Sequence, residues 1–329
     1  MNADYPLIMI PLDGSATAER ALPFASAIAR RAGSRMELVY VHDEELPVTN
    51  APILDSAWED ERTIELVDAI RVVAERLASE TGLGVTAVTL RGHRGQLLVQ
   101  HAIDRAVDLI VMTTHGRGGF SHAWFGSVAE HVIHSATTPV LVVRAGDDTR
   151  ADVTEPLFRH VLIPIDREHS GAEAMQRALT FGTHGRTTYT LLTVVSALPV
   201  LPPPYPGADM IGGDPGFACR DADASALLER IAAPARTTGA ATELRVVTHE
   251  RAAPAILEVA ESKMDLIVIP THPRGSFSRA LLGSVVDKVM RGAKVPLLLF
   301  RASEALDKLP ANALRQPFGG EAGPDSGLA

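Results

Sequence analysis

The residues with most chemical potential sit in two short stretches. One is Pro11-Leu12-Asp13-Gly14-Ser15. The other is Thr113-Thr114-His115-Gly116-Arg117-Gly118-Gly119, which leads on to Gly126-Ser127. Glycine lets backbone N–H groups approach a ligand closely. The first turn of a helix offers unpaired N–H donors and a partial positive charge. A Gly-Ser pair opening a helix is therefore a place to hold an anion, a phosphate above all, with Ser127 adding a hydroxyl donor. Asp13 could accept hydrogen bonds from a base or a sugar. The glycines alone are also what a turn and a helix cap require, so by themselves they leave both readings open.

Other candidates carry less. His131 and His134 lie three residues apart on one helix face and could hold a metal, but no third ligand accompanies them. Arg117 is the one evident cation of the glycine loop, and no base for a water nucleophile is evident. Cys219 lies in what reads as a Pro/Gly loop, Leu198 to Gly216 and beyond, with at most a redox role. The sequence has no Gly-x-x-x-x-Gly-Lys-Ser/Thr loop and no Gly-x-Ser-x-Gly turn. No residue is assigned a catalytic or a metal-binding role.

The candidate residues need a frame. Leu7–Leu12, Met36–Val41, Val85–Leu90, Leu109–Thr113 and Val140–Val143 read as strands, nearly continuous in Ile, Leu and Val, as expected when both faces are buried. Between them lie helical patterns. The first follows Ser15, a good N-cap, and carries Leu22, Ala25, Ile28 and Ala29, with Pro23 placed to kink it. The second spans about Glu59 to Ser79, with Ile64, Val67, Ile70, Val73, Ala74 and Leu77 on one side. Gln96–Ala106 and Ser127–Ser135 complete the set. Alternating strands and helices predict an α/β fold, a doubly wound parallel sheet with helices on both faces. In such a sheet ligands sit beyond the carboxyl ends of the strands, where the winding reverses. Both candidate stretches are at strand ends.

The pattern occurs twice. Asp13 at the end of its strand returns as Asp166, 153 residues on. Asp108-Leu-Ile-Val-Met returns as Asp265-Leu-Ile-Val-Ile, Gly126-Ser-Val as Gly283-Ser-Val, and Pro139-Val-Leu-Val-Val-Arg144 as Pro296-Leu-Leu-Leu-Phe-Arg301, each 157 residues on. The expected organisation is a first domain over 1–145, a linker over 146–157, a second domain over 158–302 and a mobile tail over 303–329. The chain has 329 residues, 31 Lys plus Arg against 40 Asp plus Glu, a net charge of −9, 5% aromatics and one cysteine. That charge repels phosphate backbones, and few aromatics leave little to stack on single strands, so nucleic acid is not an expected partner. One cysteine excludes an intrachain disulfide. No apolar stretch approaches the ~20 residues that span a bilayer, and no secretory signal is visible, so a cytoplasmic location without a membrane partner is expected.

At this point the chain resembles a tandem universal stress protein. That family's nucleotide motif is Gly-x-x-Gly, nine residues, then Gly-Ser or Gly-Thr. Here Gly116 is followed by the nine residues Arg117 to Phe125 and then Gly126-Ser127. The resemblance covers about residues 5–145 and 158–302. It implies a five-stranded parallel sheet in each copy, of the adenine nucleotide alpha hydrolase-like, Rossmann-like kind. It also implies ATP as ligand, with any Mg²⁺ bound through the phosphates. By the resemblance Asp13 and Val41 fall at the nucleoside, with Val41 acting through its backbone. His115, Gly116, Gly126, Ser127 and Val128 fall at ribose and phosphates, and Pro11 and Thr113 count among the nucleotide-binding residues. The chain departs from the motif at Thr113, where the first glycine belongs. In the second copy Pro270 and Pro273 take both early glycine positions, leaving Asp166, Gly283 and Ser284 of a degraded site. Proline has no N–H, so a donor at Pro273 is lost.

Three functions follow as expectations. The first is a binding module that holds ATP in its first copy and acts in stress response through nucleotide-dependent association. The second is a slow ATPase relying on Arg117, and the third a nucleotide-free scaffold. The last strands, Pro139–Arg144 and Pro296–Arg301, are expected to pair within the chain as an internal pseudo-dimer, with a homodimer of whole chains an added possibility.

Overall fold

The computed structural model describes residues 5–43, 61–114, 126–144, 157–166, 171–183, 185–195, 215–271 and 283–302. The first half consists of β1 (Leu7–Leu12), α1 (Ala16–Glu19), α2 (Ala21–Ala32), β2 (Arg35–His42), α3 (Glu61–Thr81), β3 (Val85–Arg91), α4 (Arg94–Asp104), β4 (Leu109–Thr113), α5 (Ser127–Ser135) and β5 (Val140–Val143). The second half repeats the order as β6 (His160–Pro164), α6 (Gly171–Phe181), β7 (Thr188–Val195), α7 (Pro215–Thr237), β8 (Ala241–Thr248), α8 (Ala252–Lys263), β9 (Leu266–Thr271), α9 (Ser284–Gly292) and β10 (Leu297–Arg301).

All ten strands form one sheet in the order β3-β2-β1-β4-β5-β10-β9-β6-β7-β8. Within each half every pairing is parallel. The one antiparallel junction joins β5 to β10, with Leu141 opposite Leu298. These two leucines are 157 residues apart and so hold equivalent places in the repeat. A local two-fold axis therefore passes between them. The expected pairing of the last strands is what the structure contains.

The apolar runs explain the layers. Ile8, Met9 and Ile10 are fully buried, as are Leu109, Ile110 and Val111, because helices cover both faces of the sheet. One face packs under α2, α3, α6 and α7, through residues such as Ile28, Ala74, Met175 and Leu228. The other packs under α4, α5, α8 and α9, through Leu98, Val132, Ile256 and Val289. Both cores run across the junction between the halves. Rings of Phe24, Phe158 and Phe181 with Tyr5 stitch the halves together on the first face.

Several sequence expectations need correction. Pro23 does not kink one helix. The helix breaks at Arg20 into α1 and α2, because Pro23 has no N–H for the Glu19 carbonyl and its ring crowds that turn. The second helical pattern starts at Glu61 within the described residues and runs to Thr81, two residues past Ser79. Ile64, expected in the packed stripe, is 47% exposed, while Ile70, Ala74 and Leu77 are buried. α4 begins and ends two residues earlier than read. Gly216 and Cys219 belong to α7 rather than to a loop. Residues 198–214, the loop with His115, Gly116 and Arg117, Pro273 and the tail lie outside the described residues.

Candidate functional site

The sheet opens where its winding reverses. β1 pairs with β2 along its whole length, from Leu7↔Arg35 to Leu12↔Tyr40. With β4 it pairs at only two positions, Ile8↔Leu109 and Met9↔Ile110. The cause is in the sequence. The Leu7 N–H donates to Asp108 Oδ2 at 2.9 Å and its carbonyl accepts from Asp108 N at 3.0 Å, so odd-numbered residues of β1 face β4. Pro11 faces the same way and has no N–H to continue the ladder. The second half repeats the device. His160 exchanges the same pair of bonds with Asp265, and Pro164 stands where Pro11 does. β6 and β9 likewise pair at two positions only. Proline thus ends the pairing and leaves a crevice at each switch point, where ligands of doubly wound sheets are held.

Asp13 lies at the mouth of the first crevice. Its Oδ1 accepts the Ser15 N–H at 2.9 Å, and Ser15 Oγ in turn caps α1 by accepting the Ala18 N–H at 3.1 Å. The turn between them requires glycine. Gly14 has φ +75°, and a Cβ there would stand 2.1 Å from Leu66 Cδ1 of α3. Asp13 is half-buried, and among the described residues its Oδ2 has no bond. Val41 is the penultimate residue of β2, which runs one residue further than read. Its side chain is buried in the core, so only its backbone can meet a ligand. Arg35 N reaches back to the Pro6 carbonyl, which sets odd-numbered residues of β2 toward β1. Val41 therefore faces the β1 side just past Leu12, where β1 has ended.

The other wall is the start of α5. Thr113 closes β4 and is buried. Next to it the buried Thr114 takes its N–H to Val143 O (3.3 Å) and accepts the Gly126 N–H at its own carbonyl (3.1 Å). Gly126 is the N-cap, with φ −68° and ψ 150°, and among the described residues no side chain caps the helix. Any residue adopts that backbone, and among the described residues a Cβ at Gly126 would meet the Thr114 carbonyl alone, 4.0 Å away. Gly14 is required by its backbone; Gly126 is not. In the first turn Ser127 is exposed and Val128 is half-buried against the core. A helix start that follows β4 and a carboxylate that follows β1, at the sheet opening between those two strands, suit a ligand that is anionic at one end and hydrogen-bonding at the other.

The second half keeps only part of this. Gly283 is again the N-cap, of α9, with nothing among the described residues within 4 Å of its would-be Cβ, and Ser284 follows it. Asp166 is exposed at the end of β6. Pro270 lies in β9 where Thr113 closes β4. The Thr271 carbonyl, equivalent to that of Thr114, accepts from Ala302 N at 3.1 Å.

Two features escaped sequence reading. The Thr114 carbonyl that ties down Gly126 is a backbone property with no signature in residue type. The other is a charged cluster beneath α4. Glu37, in the middle of β2 and only 3% exposed, accepts from Arg105 Nη2 at 2.7 Å and Nε at 3.2 Å, and from His101 Nε2 at 2.9 Å. Burial, the largest influence, pushes the Glu37 carboxyl up, but the bonds and charges of Arg105 and His101 outweigh it and hold the group below its ordinary value. A lone acidic residue in an apolar strand was the available signal. His131 and His134 lie on α5. Among the described residues no cluster of three could hold a metal, and none of the helices is long and apolar enough to cross a membrane.

The comparisons with known proteins agree with this architecture. The model of the universal stress protein family matches residues 5–144 and again 157–301. A universal stress protein of Mycobacterium tuberculosis is 24% identical over 300 residues, which cover 90% of this chain and 97% of that one. One from Methanocaldococcus jannaschii is 34% identical over 143 residues, 43% of this chain and 82% of that one. The crystal structure of a universal stress protein from Archaeoglobus fulgidus superposes with a TM-score of 0.65 at 17% identity, covering 92% of this chain and all of the other. The repeated α/β half, its switch-point crevice and two successive family matches lead to one conclusion: the chain belongs to the universal stress protein family, with two copies in tandem.

Proposed function

We propose that the chain is a nucleotide-binding module that holds ATP in its first half and acts in stress response through nucleotide-dependent association rather than catalysis. One observation carries the reading. Among the described residues Gly126 is a glycine that neither its backbone angles nor its neighbours require, and it opens the helix that follows β4, the strand paired with the one that leads to Asp13. The spacing of nine residues between Gly116 and Gly126-Ser127 supports the same ligand. Asp13 would accept from the nucleoside, with the Val41 backbone and Pro11 lining that end. The N–H groups of Ser127 and Val128 and the Ser127 hydroxyl would donate to phosphate oxygens, with Thr113, His115 and Gly116 on the loop side. Magnesium would bind through the phosphates.

The second half, with Pro270 and Pro273 at both early glycine positions of the motif, is read as not holding ATP, although Asp166, Gly283 and Ser284 remain. The domains are taken as 1–145 and 158–302, joined by 146–157 and followed by the tail. β5 and β10 already pair with each other, so association of whole chains must use other surfaces. Calorimetry with ATP, ADP and AMP, with and without Mg²⁺, tests the reading. Saturable ATP binding with negligible turnover supports it. Turnover with Mg²⁺ that vanishes in Arg117→Ala would make the chain an ATPase, and no nucleotide heat at all would leave it a scaffold.

A further inference from the structure

The arginines that follow the two central strands are exchanged between the halves. Arg301 closes β10 and donates from Nη2 to the His134 carbonyl at the C-terminal end of α5, 3.1 Å away. Arg144 follows β5 and donates from Nη2 to the carbonyls of Met290 and Arg291 at the end of α9, at 2.7 and 3.0 Å. The two arginines occupy equivalent places in the repeat. Because equivalent leucines face each other at the antiparallel junction, each strand end is delivered to the other half's helix. A guanidinium there meets carbonyls that lack intrahelical partners, at the negative end of the helix dipole.

What this does to α5 follows from its length and its contacts. The helix has nine residues, so its ends are only about 13 Å apart at 1.5 Å per residue. Its flank is packed tightly on α4, where a Cβ on Gly95 would come within 2.8 Å of His131. Its start is tied to β4 by the bond from Gly126 to Thr114. Its far end is held by a side chain from the second half. A short rigid rod gripped at both ends cannot tilt without breaking one of the grips.

We infer that Arg301 is a positioning residue for the anion-binding start of α5, so that the second half sets the geometry of the nucleotide site in the first. The inference rests on the reading of the first half as the ATP site. It gives the second half a role that survives the loss of its own glycine motif. Arg144 does the same for α9, a helix whose start is not read as an ATP site, and serves as an internal control.

The test uses the full chain with Arg301→Met, Arg301→Lys and Arg144→Met, since methionine keeps the apolar stem and removes the charge. Amide hydrogen exchange is read without nucleotide, and ATP affinity by calorimetry. Arg301→Met should speed exchange across α5 and leave α9 unchanged; Arg144→Met should do the reverse. ATP binding should weaken about tenfold in Arg301→Met, recover in part in Arg301→Lys, and stay within about twofold of the parent in Arg144→Met. Exchange that rises only in the half carrying the substitution, or equal losses of ATP affinity in both methionine variants, would overturn the inference. If Arg301→Met does not fold, unaltered exchange and affinity in Arg301→Lys would overturn it too. A crossed exchange pattern in a parent protein that is silent to ATP would instead sink the nucleotide reading and the functional part of this inference with it.

Discussion

The two halves of the sheet share a frame and differ in what the frame carries. Position 37 of the first half is Glu, buried in β2 and bonded to Arg105 and His101. The equivalent residue of β7 is Thr190, also buried, and the residues matching His101 and Arg105 are Glu258 and Ser262. In the first half Thr114 holds Gly126 by its carbonyl; in the second, Thr271 gives its carbonyl to Ala302. The prolines that open the crevice, Pro11 and Pro164, are present in both halves. The comparison separates two kinds of residue. Those that build the crevice are kept twice, whereas among the described residues the charged cluster and the tethered N-cap occur once, as the glycine pattern does in the sequence. The frame alone therefore does not single out one half; the second set does.

The largest expected difference is at the two helix starts. Gly126→Leu should weaken ATP binding by about 100-fold or more, because a side chain would cover N–H groups whose bonds to phosphate are each charge-assisted. Gly283→Leu should leave ATP affinity unchanged. Neither protein should unfold, since among the described residues a Cβ at either glycine meets no atom closer than 4.0 Å. Parallel calorimetry and thermal melts check both statements, and equal loss in the two variants would erase the contrast.

Next comes the charged cluster. Glu37→Ala should cost about 2–3 kcal/mol of stability in denaturant titrations, toward the low end for broken buried pairs because Arg105 is half-exposed and can rehydrate. Thr190→Val, at the matching place in the second half, removes no charge and should cost less, under about 1.5 kcal/mol, the ordinary net contribution of one hydroxyl hydrogen bond.

The cluster also sets a pH dependence. The folded protein holds the Glu37 carboxyl below its ordinary value of 4.5, so the unfolded chain takes up that proton more readily than the fold does. The stabilisation is complete above that ordinary value and is lost as pH falls through the lower, folded one. Acid titrations of the parent and of Glu37→Gln should therefore converge on the acid side and separate above it. Curves that stay parallel would mean the carboxylate contributes nothing specific.

The smallest effect concerns the helix stripe. Ile64→Ala should change stability by less than about 0.5 kcal/mol because the side chain is 47% exposed. A loss of core size would show that α3 packs along its whole apolar side, as the bare periodicity suggests.

Much of this was legible in the residues. Continuous Ile, Leu and Val runs mark β4 and β5 to the residue, whereas the pairing of the last strands was implied by the family resemblance. What periodicity does not carry is where a stripe runs off the edge of the sheet, as at Ile64, or how a proline three residues into a helix divides it, as at Pro23. The site was half legible. Asp13 and Gly126-Ser127 stand out by type and spacing. The tether from Thr114 is made by backbone atoms, and the bonds of Glu37 cross from β2 to α4 over 64 and 68 residues of sequence. Arg144 and Arg301 were visible as strand ends, but their exchange depends on an antiparallel junction that only the assembled sheet displays.

The most direct test is the number of ATP molecules held by one chain, counted by native mass spectrometry across a titration of the parent protein and of Gly126→Leu. One ATP per parent chain, and none in the variant, is the expected result. Two equivalent ATP molecules per chain, or one that persists in Gly126→Leu, would contradict the assignment of the site to the first half.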